Sequence, residues 1–142
     1  MLVIGSDHAG FNLKREIMRH LDESGTEYKD VGCYSDTPAD YPEIAQVAAE
    51  LIINGECERG ILVCGAGIGM SIAANKIPGI RAALCGEGYS ARMARSHNDA
   101  NILCMGARVT GPGIACEIVD IFLSAGFESG RHQKRIDLME KN

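Results

Sequence analysis

The chain has 142 residues, which suits one compact domain and leaves little room for a second. A net charge of −5 argues against sustained binding to nucleic acid or to an anionic membrane surface. The most apolar stretch, residues 60–74, is shorter than the roughly 20 residues that span a bilayer. Because the N-terminus also has the pattern of a strand and not of a targeting leader, we expect a cytoplasmic protein without membrane or nucleic-acid partners.

Five short β-rich runs alternate with segments of helical period. The runs cover residues 2–4, 28–31, 61–64, 81–85 and 102–105. The predicted helices cover residues 13–21, 42–52, 70–76, 89–97 and 114–122, and an amphipathic C-terminal helix covers 131–141 with Ile136 and Met139 on its apolar side. Such alternation predicts one doubly wound α/β domain over residues 1–142, with a five-stranded parallel sheet between two layers of helices.

The third run leads into a glycine-rich turn, Gly65–Gly69. Backbone N–H groups at the start of a helix can bind a phosphate, or an oxyanion that forms during a reaction. The turn is a poor dinucleotide fingerprint, because its spacing is GxGxG and it follows the third strand. The alternative interpretation is that the glycines only permit tight packing between strand and helix.

Cys64 ends the third run, directly before this turn. The helix dipole and the N–H groups there favour a thiolate, which could act as a base or a nucleophile. The alternative is an inert cysteine in a buried strand, which is our interpretation of Cys85 and Cys104. None of the six cysteines forms a C-x-x-C pair, so the sequence predicts neither a zinc knuckle nor a redox motif.

Two histidines and two arginines are further candidates. His8 follows the first run beside Asp7, and His97 precedes the fifth. We expect both histidines at one edge of the sheet, where they could hold phosphate or transfer a proton, although a lone histidine is often only a capping residue. Arg131 and Arg135 are four residues apart, so they project from one face of a helix. The two guanidinium groups could bind a phosphate together, or they could simply form a solvated cationic surface. The carboxylates show no paired spacing, so no dyad or metal cluster is predicted.

Several segments together resemble the ribose-5-phosphate isomerase B family, which also includes isomerases of allose 6-phosphate and galactose 6-phosphate. These segments are residues 6–10, 40–42, 64–76, 97–101, 106–109 and 130–135, in the family's order and spread over essentially the whole chain. The resemblance implies a Rossmann-like α/β/α fold and a homodimer, sometimes paired into a tetramer, whose active sites combine residues of two subunits. It also implies interconversion of D-ribose 5-phosphate and D-ribulose 5-phosphate without a metal or an organic cofactor.

The resemblance also implies a role for each matching residue. Cys64 matches the base that moves a proton between C2 and C1 through an enediolate, and His97 matches the residue that opens the furanose ring. The matching substrate-binding residues are Asn98 and the turn residues Gly65, Ala66, Gly67, Ile68 and Gly69 for the substrate and enediolate oxygens, His8, Arg108, Arg131 and Arg135 for the phosphate, and Asp7 and Tyr41 for the sugar.

Ala66 departs from the family's pattern, because members with the cysteine base often carry threonine or serine at this position. Either His97 or a bound water takes over the task of that hydroxyl, or the alanine marks another sugar phosphate, such as a hexose or a tetrose phosphate. Two other classes of function stay open. A nucleotide-binding oxidoreductase would use the glycine turn and Glu87, and a non-catalytic sugar-phosphate sensor would need neither Cys64 nor His97.

Overall fold

The computed structural model describes residues 1–141, in which strands and helices alternate along the chain. The strands are β1 (Leu2–Ser6), β2 (Tyr28–Asp30), β3 (Arg59–Cys64), β4 (Ala82–Leu84) and β5 (Ile102–Gly106). The helices are α1 (Phe11–Glu23), α2 (Tyr41–Ile53), α3 (Ile68–Asn75), α4 (Gly88–Ser96), α5 (Pro112–Ser124) and α6 (Arg131–Glu140). All neighbouring strands pair in parallel, in the order β2-β1-β3-β5-β4. The predicted α/β class, parallel sheet and C-terminal helix are confirmed, and residue 142 of the predicted domain lies outside the described residues.

Side chains along each strand alternate between two layers of helices. Ile4 and Leu103 pack with α1, α4 and α5 on one face, whereas Val3 and Leu62 pack with α2 and α3 on the other. All four of these side chains are fully buried, and each contributes about 1.5–3 kcal/mol to folding. Because both faces are covered, the central strands have continuous apolar sequences instead of alternating ones. Among the helices of residues 1–141, none combines the length and the apolar character that a membrane span needs.

The start of α3 and the buried face of α6 differ from the sequence prediction, and both matter for the site. Helix α3 begins at Ile68, two residues before the predicted start, because Gly67 takes a left-handed conformation (φ 81°) and ends the turn there. Helix α6 buries His132 and Ile136, whereas Met139 is 47% exposed. The predicted apolar side of Ile136 and Met139 is therefore wrong, and the buried face carries a histidine.

The common direction of the strands gives the sheet two distinct edges. At the carboxyl edge, the loop after β5 joins the end of β3, since the Ala107 N–H donates to the Cys64 carbonyl at 2.9 Å. At the amino edge, the Asn101 carbonyl accepts the Gly60 N–H at 2.8 Å. The five residues of β5 separate these edges by about 16 Å.

Candidate active site

The carboxyl ends of β1 and β3 form a crevice. The two strands are neighbours in the sheet, but the helices that follow them, α1 and α3, lie on opposite faces. Parallel sheets bind ligands at such a point, because the loops diverge there and expose the strand ends. Cys64 and Asp7 both lie at this crevice, since Cys64 is the last residue of β3 and Asp7 directly follows β1, as the sequence predicts.

The Cys64 thiol lies at the start of α3. Its Sγ accepts the Gly67 N–H with a distance of 3.2 Å, and the residue is 5% exposed. This hydrogen bond connects the last residue of β3 with the left-handed Gly67 directly before α3. A hydrogen-bond donor and the positive end of a helix both favour a negatively charged sulfur.

The turn after β1 presents a carboxylate and an imidazole. One oxygen of Asp7, which is 7% exposed, accepts the Gly10 N–H at 3.0 Å and fixes the start of α1. Gly10 packs so closely on β3 that a Cβ there would lie 2.5 Å from the Val63 carbonyl oxygen. The Ala39 N–H donates to Nδ1 of the exposed His8 at 3.2 Å. Nδ1 also lies 3.4 Å from the Ala39 carbonyl oxygen, so the Ala39 backbone holds this side of the imidazole ring in place.

Tyr41 and Arg108 lie on either side of the glycine turn. A Cβ at Gly69 would lie 2.5 Å from the Tyr41 ring, and a Cβ at Gly65 would lie 3.2 Å from a guanidinium nitrogen of Arg108. These contacts explain why Gly69 and Gly65 are glycines, because a larger residue at either position would meet a neighbouring side chain. The structure thus brings together ten of the predicted site residues at the carboxyl edge: Asp7, His8, Tyr41, Cys64, Gly65, Ala66, Gly67, Ile68, Gly69 and Arg108.

The remaining predicted residues form a second group. His97 and Asn98 follow α4, and Arg131 and Arg135 are exposed on α6. Helix α6 is held against the end of α4, because the His97 ring stacks on the ring of His132 with 4.1 Å between centroids and 12° between planes. These four residues therefore belong to one surface.

The two groups lie at opposite edges of the sheet. Helix α4 runs back against the strand direction, so His97 is at the amino edge, near Asn101, and not beside His8. The expectation that both histidines share one edge is wrong, since a residue just before a strand is at the edge where that strand begins. Cys64 and His97 of one chain are consequently separated by about the length of β5.

The amino-edge group contains a cluster that sequence analysis did not predict. His97, Glu128 and His132 each place one side-chain atom that could ligate a metal ion within 4.8 Å of the other two. His132 is 6% exposed, and its burial, together with the neighbouring His97 and Arg131 side chains, lowers the pKa of its imidazole. One feature of the sequence could have indicated the burial of His132. This histidine lies four residues before the apolar Ile136, and residues at that spacing share one face of a helix.

Glu87, the candidate ribose-binding acid, has a structural partner. Its carboxylate caps α4 and accepts the Ser90 N–H at 2.9 Å. Hydrogen bonds from the Ser90 side chain and backbone lower the pKa of this carboxyl. Since this acid is engaged at the start of α4, it gives no support to a nucleotide-binding oxidoreductase.

Comparison with known proteins decides the family. The ribose/galactose isomerase family profile matches residues 2–139. The chain is 50% identical to ribose-5-phosphate isomerase B of Escherichia coli, over 96% of this chain and 91% of that protein. The chain belongs to the ribose/galactose isomerase family.

The structural likeness is equally extensive. A solved structure of ribose-5-phosphate isomerase B from Clostridium thermocellum superposes with a TM-score of 0.97 at 51% identity, and the match covers 99% of this chain and 95% of that one. A D-erythrulose-4-phosphate isomerase of Pectobacterium atrosepticum is 43% identical over 96% of this chain and 90% of its own length. Relatives of similar identity therefore carry names for pentose and for tetrose phosphates.

Proposed function

We propose that the protein interconverts D-ribose 5-phosphate and D-ribulose 5-phosphate through an enediolate. The observation that carries this proposal is the Cys64 thiol at the head of α3, with the Gly67 N–H 3.2 Å from its sulfur. Proton transfer next to a carbonyl needs a base and fixed donors for the oxygen that becomes negative. The end of β3 and the turn that follows it offer both. The similarity to ribose-5-phosphate isomerases B selects a pentose phosphate as substrate.

In this mechanism the Cys64 thiolate removes the proton from C2 of the open-chain aldose. The electron pair of that C–H bond forms the C1–C2 double bond, and the carbonyl oxygen on C1 becomes an enediolate oxygen. Cys64 then returns the proton to C1, while the proton on O2 moves to O1 and leaves a C2 carbonyl. The N–H groups of Gly65–Gly69, with Asn98, bind the two oxygens, and one such donor contributes about 3 kcal/mol to the transition state.

Ring opening and part of the phosphate binding come from a second subunit in our proposal. His97, Asn98, Arg131 and Arg135 lie at the amino edge, too far from Cys64 of the same chain to share its substrate. A homodimer supplies them if the amino edge of one subunit faces the carboxyl edge of the other. The phosphate then lies between His8 and Arg108 of one subunit and the two arginines of its partner, and guanidinium groups suit its charge and geometry.

An exposed apolar patch next to the glycine turn also favours a dimer. Ile68, Ile72 and Leu84 are 53%, 56% and 43% exposed, and Leu84 lies against Gly67. Apolar side chains grouped beside a binding site are typical of surfaces that a partner covers. Light scattering would separate a dimer from the tetramer that the family sometimes forms.

The six cysteines are free thiols, as a reducing compartment requires, and we place the protein in the cytoplasm. The free state fits the chemistry proposed for Cys64. A disulfide at this position would remove the base.

A second candidate substrate is a tetrose or hexose phosphate. Ala66 lacks the hydroxyl that the family's cysteine-containing members often carry, and it is exposed in the turn. The similarity to a D-erythrulose-4-phosphate isomerase favours the tetrose of these two alternatives.

Proton NMR in D2O with EDTA present tests the reaction. We expect ribulose 5-phosphate to form from ribose 5-phosphate with deuterium at the transferred position, and Cys64→Ala to abolish both. Cys85→Ala, which alters another buried cysteine outside the site, is the matched control. Deuterium enters the product whenever the Cys64 thiol exchanges its proton with D2O before returning it, so product that keeps protium is also compatible with an enediolate. Near-normal turnover of Cys64→Ala would contradict the mechanism, and no ketose at all would direct the assay to erythrulose 4-phosphate.

Mixing two inactive variants tests the shared site. In a heterodimer of Cys64→Ala and His97→Asn subunits, one site carries both substitutions and the other carries neither. Random mixing makes half of the dimers hetero, so activity should return to about a quarter of the wild-type value. If each site lies within one chain, mixing restores nothing.

A further inference from the structure

We propose that His97, Glu128 and His132 bind a divalent transition-metal ion such as Zn²⁺, and that this ion inhibits the enzyme by occupying His97. The ion is not part of the isomerase reaction. The inhibitory consequence rests on the proposed function of His97, whereas the binding site itself rests only on the geometry of the amino edge.

The three side chains already converge. The Glu128 carboxylate has one oxygen 3.6 Å from Nε2 of His132 and the other 3.9 Å from Nε2 of His97. Four-coordinate Zn²⁺ with bonds of about 2.0–2.1 Å keeps its ligand atoms about 3.4 Å apart. The His132 and His97 distances to the carboxylate therefore exceed this spacing by about 0.2 Å and about 0.5 Å.

One nitrogen of this cluster is buried without a hydrogen-bond partner. Nε2 of His132 is buried and has no hydrogen-bond partner among residues 1–141, and the whole residue is only 6% exposed. A buried polar atom without a partner costs about 1–3 kcal/mol. A metal ion on this nitrogen removes that cost, because the lone pair then has a partner.

The donor set selects the kind of ion. Two imidazoles and one carboxylate form the ligand set of many zinc sites that leave a fourth position open to water. Imidazole also binds copper and nickel, whereas magnesium and calcium prefer sites made of oxygen atoms. Glu128 supplies a negative charge to offset the ion, and the neighbouring Arg131 opposes it, so we expect moderate affinity.

Binding requires a small rearrangement of the stacked rings. Parallel imidazoles cannot both hold one ion in their planes, so one ring must tilt. His97 has 37% of its side chain exposed and Glu128 has 57%, whereas the His132 side chain is almost enclosed. The tilt therefore falls on His97, and the ion draws this side chain toward Glu128.

Inhibition follows from this displacement. An imidazole that holds an ion through Nε2 cannot exchange a proton with the ring oxygen of a sugar at the same atom. Zinc should therefore slow the conversion of cyclic substrate, and a chelator should restore it.

Calorimetric titration with zinc chloride in the absence of substrate tests the site. We expect one ion per chain, with affinity reduced by at least about tenfold in Glu128→Gln and His132→Gln, the loss that even outer-shell partners of a metal cause. Glu128 is largely exposed, so its substitution should not impair folding. His20→Gln is the matched control, because it removes another imidazole–carboxylate pair, that of His20 and Asp120 at 2.7 Å, and should leave zinc binding unchanged.

Cobalt absorption identifies the ligands independently. Six free thiols compete for soft ions, and a sulfur-to-cobalt charge-transfer band would place the ion on cysteine and overturn the proposal. Absence of binding would also overturn it, as would equal affinity in wild type and Glu128→Gln. If zinc binds as expected but metal-free protein shows no isomerase activity, the site stands and the proposed function fails.

Discussion

Gly67, in the turn after β3, can be required for two reasons: its left-handed backbone conformation and the lack of space for a Cβ. Replacing it by alanine tests both. The residue has φ 81°, and an added Cβ would lie 2.5 Å from a methyl group of Leu84 and 2.8 Å from the carbonyl carbon of Met105. Leu84 is 43% exposed and can move away, but the Met105 backbone belongs to β5 and cannot. The substitution therefore combines backbone strain with a clash against the sheet.

Gly55 is a matched comparison. Its φ is 85°, nearly that of Gly67, yet nothing lies within 4 Å of a Cβ added there. Gly55→Ala should cost only the left-handed strain of about 1–2 kcal/mol. Gly67→Ala should cost that amount plus about 1–3 kcal/mol for overpacking, or about 2–5 kcal/mol in all.

Urea denaturation followed by far-ultraviolet circular dichroism measures both free energies of unfolding. The protein concentration must be the same for each variant, because the proposed dimer would gain apparent stability with concentration. Gly67→Ala should also lower kcat, because the clash displaces the backbone N–H that donates to the Cys64 sulfur, whereas Gly55→Ala should keep the wild-type rate. Equal destabilisation by the two substitutions would refute the packing argument.

Three further predictions concern the buried polar groups and the site. Lys14→Met should lower the free energy of unfolding by about 3 kcal/mol. The fully buried ammonium lies 2.7 Å from Asp30, and the substitution would leave that carboxylate without its cation. A loss under about 1 kcal/mol in urea denaturation would contradict this. Iodoacetamide at pH 8 should label the half-buried Cys33 well before Cys85, because burial raises the pKa of Cys85 to about 11. Mass spectrometry measures the two labelling rates, and equal rates would contradict this prediction. Ala66→Thr should raise turnover of cyclic ribose 5-phosphate in a coupled assay, because it restores a hydroxyl near the reacting atoms, and an unchanged or lower rate would exclude that role.

Sequence patterns predicted the sheet well because its strands are covered on both faces. Residues 61–64 form a continuous apolar run, and this pattern has no competing explanation next to a glycine turn. The start of α3 was less accessible. Only the left-handed conformation of Gly67 shows that the helix begins at Ile68, and the sequence around it has the composition of a loop.

The site was predictable in part. Residues at the carboxyl end of a strand or directly after it, such as Cys64 and Asp7, could be placed at one edge by strand direction alone. The misplacement of His97 was avoidable, because a helix that joins parallel strands returns to the edge where the next strand begins. The contact of His97 with His132 was not predictable, since it depends on how α6 packs against the end of α4, and local periodicity contains no information about that docking.

The antiparallel course of α4 has a consequence for the rate law. If the two edges meet only between chains, an isolated subunit holds the proposed base without the residues proposed to open the ring. Below the dissociation constant of the dimer, the number of complete sites falls with the square of the protein concentration. A dilution series would then show a specific activity that declines on dilution, and added substrate would slow the decline because it bridges both subunits.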